Sequence, residues 1–148
     1  MKFTRAFLVV MILLAMPFIS TFVFEMSNAD MAFEDDIRVN TDNVDEPQAS
    51  PDIAIDGNYV YVVWQDQRRG NWDIYLRVSS NKGSSFSTEV RVDDTSLTET
   101  MTDDGTNQYD PVIAIDEGGV IYIAWTDERE GRPMIYISHS DDHGATFS

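Results

Sequence analysis

The chain has 148 residues, 10 of them basic and 26 acidic, for a formal net charge of −16, and it contains no cysteine. Such a surface repels nucleic acid and anionic membranes and strains its own fold by self-repulsion at low salt. Without cysteine no disulfide staples the fold, so stability must come from packing, helped by salt, divalent cations or a cationic partner; a saline habitat is the plain explanation.

In chain order, Lys2 and Arg5 precede Ala6–Phe24, a run of 19 residues without charge, and Ser27-Asn28-Ala29 offers a small-x-small cleavage site before Asp30. Residues 1–29 therefore read as a signal peptide, or as an uncleaved anchor that meets the membrane only through residues 6–24. Either way the remainder is expected to be extracytoplasmic, secreted or at the cell surface. Removing residues 1–29 takes away Lys2, Arg5 and Glu25, moves the net charge from −16 to −17, and leaves Lys82 as the sole lysine.

Residues 30–50 read as a leader carrying an outer strand at Ile37–Asn40, because FEDDIRVN at Phe33–Asn40 resembles FSTEVRVD at Phe86–Asp93. Over 51–94 the β-branched and aromatic runs predict strands at Asp52–Asp56, Tyr59–Trp64, Ile74–Val78 and Val90–Asp93, parted by Gly and Asn/Asp turns. Residues 95–110 form an acidic, Thr-rich loop. The strand pattern then repeats over 111–148 as Val112–Asp116, Val120–Trp125 and Ile135–Ser138, with the outer strand of this second unit missing. No helix is expected after residue 29.

The repeat is most exact in a short motif. SSNKGSSF at 79–86 returns as SDDHGATF at 140–147, an offset of 61 that carries Ser79 to Ser140, Asn81 to Asp142, Gly83 to Gly144, Ser85 to Thr146 and Phe86 to Phe147. The same offset carries Trp64, Asp66 and Arg68 to Trp125, Asp127 and Arg129. A short polar side chain at Asn81 or Asp142 accepts from backbone N–H groups a few residues on, and the glycine supplies positive φ. The serines and threonine tie the hairpin ends while Phe86 and Phe147 plug into the apolar layer. A repeated motif of this kind is a fold feature before it is an active site.

This motif resembles the Asp-box, or BNR repeat, of the sialidase-like β-propellers, and the resemblance extends over about residues 33–148. It implies an all-β fold: a β-propeller segment of about two four-stranded antiparallel blades, after an N-terminal signal or anchor helix. Propellers take roughly four to eight blades. The chain is then a fragment of a longer propeller, or a protomer that closes a ring by head-to-tail self-association, each Ile37–Asn40 strand completing the open blade of its neighbour.

The resemblance also implies what sialidase chemistry would need: three arginines on the substrate carboxylate, a Tyr–Glu nucleophile, an Asp acid/base and an Arg-Ile-Pro motif. Here Ile37-Arg38-Val39-Asn40 lacks the proline and returns as Val90-Arg91-Val92-Asp93, so Arg38 and Arg91 are expected to face solvent from outer strands. Two positioned catalytic groups and a clamp cannot be assembled, and no catalytic residue is assigned. In Trp-x-Asp-x-Arg the tryptophans are expected to pack between blades while Asp and Arg pair across the loop. The alternative is a ring of Asp66, Arg68, Asp127 and Arg129 that grips a polar ligand such as a glycan, with Trp72 as a stacking platform. Positions that break the repeat are further candidates, though ordinary drift between repeats is the plainer explanation of all of them: Arg69, Asn71, Trp72, Asp73, Arg77 and Tyr109-Asp110.

No metal site is assigned. His139 and His143 fall on a strand and its turn, and Asp103-Asp104-Gly105-Thr106-Asn107 has the flavour of a Ca²⁺ loop without the closing Glu or flanking helices of an EF-hand. No cofactor is expected beyond that candidate Ca²⁺. The functional expectation is an exported, non-catalytic module that binds glycan or protein ligands or serves as part of a larger surface protein. The alternative is a fragment of a sialidase-type exo-glycosidase.

Overall fold

A computed structural model describes residues 36–42, 45–93 and 105–148, of which Ile37–Ser148 belong to one compact unit. The expected signal or anchor segment and most of the 95–110 loop lie outside the described residues. Seven strands follow in order: β1 Gln48–Asp56, β2 Tyr59–Asp66, β3 Asp73–Ser79, β4 Val90–Arg91, β5 Gln108–Ile115, β6 Ile121–Asp127 and β7 Met134–Ser140. They make two antiparallel sheets, one ordered β1-β2-β3-β4 and the other β5-β6-β7. Among the described residues there is no helix.

Strands β1 and β5 begin earlier than the sequence pattern suggests. The runs predict strands at Asp52–Asp56 and Val112–Asp116, just after Pro51 and Pro111, which lack the N–H a ladder needs. Instead each ladder skips the proline through a bulge, between Ala49 and Asp52 in β1 and between Tyr109 and Val112 in β5. The skipped residues Ser50 and Asp110 take matching φ values of 51° and 53°.

The expected strand at Ile37–Asn40 is not formed: residues 36–42 carry no ladder. Side chains hold its backbone instead. The Val39 carbonyl accepts from the Arg77 guanidinium, the Asn40 carbonyl from Arg38 Nε at 3.0 Å, and the Thr41 N–H donates to Glu89 Oε1 at 2.7 Å. A strand exists only against a partner edge, and none is offered to this segment within the described residues.

The core lies between the two sheets. Strand alternation puts Tyr61, Val63, Ile74 and Leu76 on one face of the first sheet, against Ile121, Ile123 and Trp125 of the second, with Val92 closing the edge. Each such side chain contributes about 1.5–3 kcal/mol when fully buried. The outer faces are also apolar but open. Ile53 and Ile55 of the first sheet are 57% and 67% exposed, and Val112, Tyr122, Ile135 and Ile137 of the second are 57%, 37%, 75% and 66% exposed.

Polar ties cross between the sheets. The Ile113 N–H donates to Asp52 Oδ2 at 2.9 Å and the Asp110 N–H to Gln65 Oε1 at 2.8 Å. Tyr61 Oη meets His143 Nδ1 at 3.0 Å, and the His143 ring stacks on Tyr59 with centroids 4.1 Å apart.

Candidate functional site

The Trp-x-Asp-x-Arg segments sit where β2 and β6 run into their turns. Alternation brings Trp64 and Asp66 to the same face, and the Trp64 indole N–H donates to Asp66 Oδ2 at 3.0 Å. The other carboxylate oxygen accepts the Arg68 backbone N–H at 2.9 Å, and the Arg68 guanidinium folds back onto Oδ2. The second sheet repeats this: Trp125 to Asp127 at 2.9 Å, the Arg129 N–H to Asp127 Oδ1 at 2.9 Å, and the Arg129 guanidinium on Oδ2. Each guanidinium lies over a tyrosine ring, Arg68 on Tyr75 at 4.2 Å and Arg129 on Tyr136 at 4.3 Å. Both carboxylates are fully buried. Burial alone would raise their pKa, but hydrogen bonds from arginine and tryptophan outweigh it and hold Asp66 and Asp127 below the ordinary carboxylate range. The two pairs are thus each brought together within their own sheet, and Trp72 joins neither. Trp72 is half-buried, its backbone fixed by the Gln108 N–H at 2.6 Å and by Asn107 Oδ1 at 3.3 Å.

Around the first pair the structure adds groups that the sequence pattern did not single out. Arg68 also reaches Glu89, and Asp42 Oδ2 lies 3.6 Å from its Nε. Burial opposes ionisation of Glu89, yet bonds from Thr41 and Arg68 prevail and its pKa is lowered. Arg91 was expected to face solvent and does not: its guanidinium contacts buried Asp73 at 2.8 Å and Asp93 at 2.9 Å. The reason is that Asp73 and Asp93 are both buried charges needing a cation. Asp93 keeps a raised pKa, from burial first and in spite of the Arg91 bonds. Arg38 is exposed, as expected.

The repeated glycine turns share one bonding plan. Ser79 Oγ donates to Asn81 Oδ1 at 2.8 Å and accepts the Gly83 N–H at 2.8 Å, while Asn81 Oδ1 takes the Ser85 N–H at 2.9 Å. In the second turn Ser140 Oγ donates to Asp142 Oδ1 at 2.7 Å and accepts from Gly144 at 2.9 Å, and Thr146 donates to Asp142 through N–H and Oγ1 at 2.9 and 2.6 Å. The Thr146 side-chain and backbone bonds, with Ser140, lower the Asp142 pKa to about 2. Gly83 and Gly144 take φ of 87° and 82°. Phe147 packs on the core; Phe86 is half-buried with Arg77 above its ring.

Phe86 belongs instead to a groove of about 560 Å³ beside the glycine turns, lined by Tyr59, Val78, Ser85, Phe86, Ser87 and His143 among others. Aromatic faces next to hydroxyls suit a polar, ring-shaped ligand. A sequence signal existed: Tyr59 and His143 stand where the other repeat has Val120 and Lys82, but only the packing of the two sheets joins them.

Of the other positions that break the repeat, Arg77 holds the Val39, Phe86 and Ser87 carbonyls, and Arg69 Nε lies 3.8 Å from Asp73. The Tyr109 hydroxyl meets Glu128 at 3.3 Å. His139 stacks on Tyr122 and His143 on Tyr59, so the two histidines serve separate contacts. Among the described residues no three acidic, histidine or cysteine side chains converge as a metal site, and part of the candidate Ca²⁺ loop lies outside them.

No family model matches the chain, and no curated protein does. Among solved structures, a candidate glycoside hydrolase from Bacteroides ovatus ATCC 8483 is similar at 15% identity and a TM-score of 0.46, over 70% of this chain and 30% of that one. The chain thus matches less than a third of that structure's length.

Proposed function

We propose that residues 30–148 form part of a sialidase-like, Asp-box β-propeller, each sheet being one blade, and that the module is exported and non-catalytic. It binds a glycan or protein ligand, or serves as part of a larger surface protein. The observation that carries this reading is the repeated use of the Asp/Arg pairs. Asp66 and Asp127 each spend both oxygens on a tryptophan, a backbone N–H and an arginine of their own sheet. A carboxylate so bonded and fully buried stabilises a turn and presents no exposed oxygen to a substrate. The groove beside Tyr59, Phe86 and His143, with its rings and hydroxyls, supports this reading as the site for such a ligand.

The test is a glycan-array screen of the full chain, with a fluorogenic sialoside assay run on the same preparation. Binding without hydrolysis is expected, and Tyr59→Ala should weaken it about tenfold by removing a stacking face. Sialoside hydrolysis would overturn the non-catalytic reading and favour the exo-glycosidase alternative.

A further inference from the structure

The contact between the two sheets has two halves, and each half has an uncovered counterpart elsewhere in the chain. The first sheet contributes Tyr61, Ile74 and Leu76; 61 residues on stand Tyr122, Ile135 and Ile137, all exposed. The second sheet contributes Ile113 and Ile115; the register places Ile53 and Ile55 at the matching sites, again exposed. The molecule therefore displays, on opposite outer faces, both surfaces of a contact it already makes internally.

Two details show that these faces match each other rather than any apolar surface. Gly144 seats on the core face so closely that a Cβ there would come within 2.6 Å of Leu76 Cδ2. Its counterpart Gly83 has nothing within 4 Å, and the counterpart of Leu76 is the exposed Ile137. Second, residues 37–42 lie against the first sheet as 90–93 lie against the second. Asn40 Nδ2 donates to Gln48 Oε1 at 3.2 Å, and at the matching positions the Gln108 amide, turned to the orientation that satisfies its neighbours, puts its nitrogen 3.2 Å from Asp93 Oδ2. Ile37-Arg38 matches Val90-Arg91, which pairs along the edge of β3 as β4. The matching edge, that of β7, carries no strand among the described residues.

We propose that a second copy of this chain docks head to tail on the second sheet. Its Ile53/Ile55 face covers Ile135 and Ile137, its Gly83 turn seats on Ile137, and its Ile37-Arg38 pairs with the edge of β7. The contact is heterologous, so each added copy presents the same open face until a ring closes. It is weaker than the internal contact, because Val112 stands where Asp52 ties the sheets together. Acidic copies also repel one another, so docking strengthens with salt. Docking of the second copy does not depend on whether the groove binds a glycan.

The absence of cysteine makes the test clean. Lys82→Cys and Tyr122→Cys are made in separate full-length chains, since their counterparts His143 and Tyr61 touch at 3.0 Å. The two chains are mixed in mild detergent at high salt and treated with a short bis-maleimide, thiol access being verified with a mono-maleimide. The mixture is expected to give about tenfold more covalent dimer than either chain alone. Adding Ile137→Asp to the Tyr122→Cys chain, or Ile55→Asp to the Lys82→Cys chain, should remove that excess while far-UV circular dichroism stays unchanged. No excess from the mixture would overturn the proposal and leave the face to another occupant. Equal product from Tyr122→Cys alone would overturn it in favour of a symmetric contact, and excess that survives both aspartates would overturn the assigned faces.

Discussion

The two sheets are built from one pattern and buried to very different degrees. In the first, Tyr61, Ile74 and Leu76 are fully buried; in the second, the same positions hold Tyr122, Ile135 and Ile137, which lie open. The strands, turns and hydrogen-bond plan are otherwise alike. Apolar alternation thus fixes which side chains share a face, and only the neighbouring sheet decides whether that face is dry. Charge follows the same rule. Asp73 is buried under Arg91 in the first sheet, and its counterpart Met134 is exposed.

Substitutions at paired positions break this comparison most directly. Leu76→Ala is expected to cost about 3 kcal/mol by opening a cavity, and Ile137→Ala less than about 0.5 kcal/mol in the dilute chain. Urea midpoints of the two variants check this; equal losses would mean that the second sheet's outer face is already covered in solution. Gly144→Ala should cost about 2 kcal/mol more than Gly83→Ala. Both strain a positive φ, but only the first drives a methyl into Leu76. A smaller loss, about 1–2 kcal/mol, is expected for Asp66→Ala and for Asp127→Ala, each leaving a buried indole N–H without its acceptor. Thermal melts that leave either variant at the wild-type midpoint would show that these pairs do not hold their turns.

The smallest effect separates the glycine turns by acid. Asp142 has a folded pKa lowered to about 2. Its turn bonds are therefore at full strength above the unfolded carboxylate value near 3.9, and are lost as pH falls through about 2. The Thr146 amide resonance should shift with a midpoint near pH 2, and Asp142→Asn should abolish that transition. Ser85, bonded to Asn81, should show none. A Thr146 midpoint near 4 would mean that the bonds are not formed in solution.

Much of this was legible in the sequence because it is local. The runs YVYVVW and IYIAW and the glycine turns specify strands and hairpins from neighbouring residues alone. The early strand starts were not legible, since each ladder crosses Pro51 or Pro111 through a bulge that residue type alone does not reveal. Ile37–Asn40 has the composition of a strand, but pairing is a property of two segments, and among the described residues none pairs with it. The same limit hid Glu89, Asp42 and the groove. Arg68 meets Glu89 across 21 residues, and His143 meets Tyr61 across 82. The inward turn of Arg91 was missed because its reason is burial of Asp73 and Asp93, which alternation alone does not reveal.

The tryptophan clasps have an optical consequence. Trp64 and Trp125 are each 4% exposed, with the indole N–H fixed on a carboxylate and a guanidinium close by, one such ring in each sheet. Trp72 is the third and last tryptophan of the chain. Replacing it and one of the pair by phenylalanine leaves a single tryptophan, shielded from water and sensitive to the charge beside it. The chain thus carries a separate fluorescent reporter for each sheet, so the loss of order in one can be followed while the other still holds.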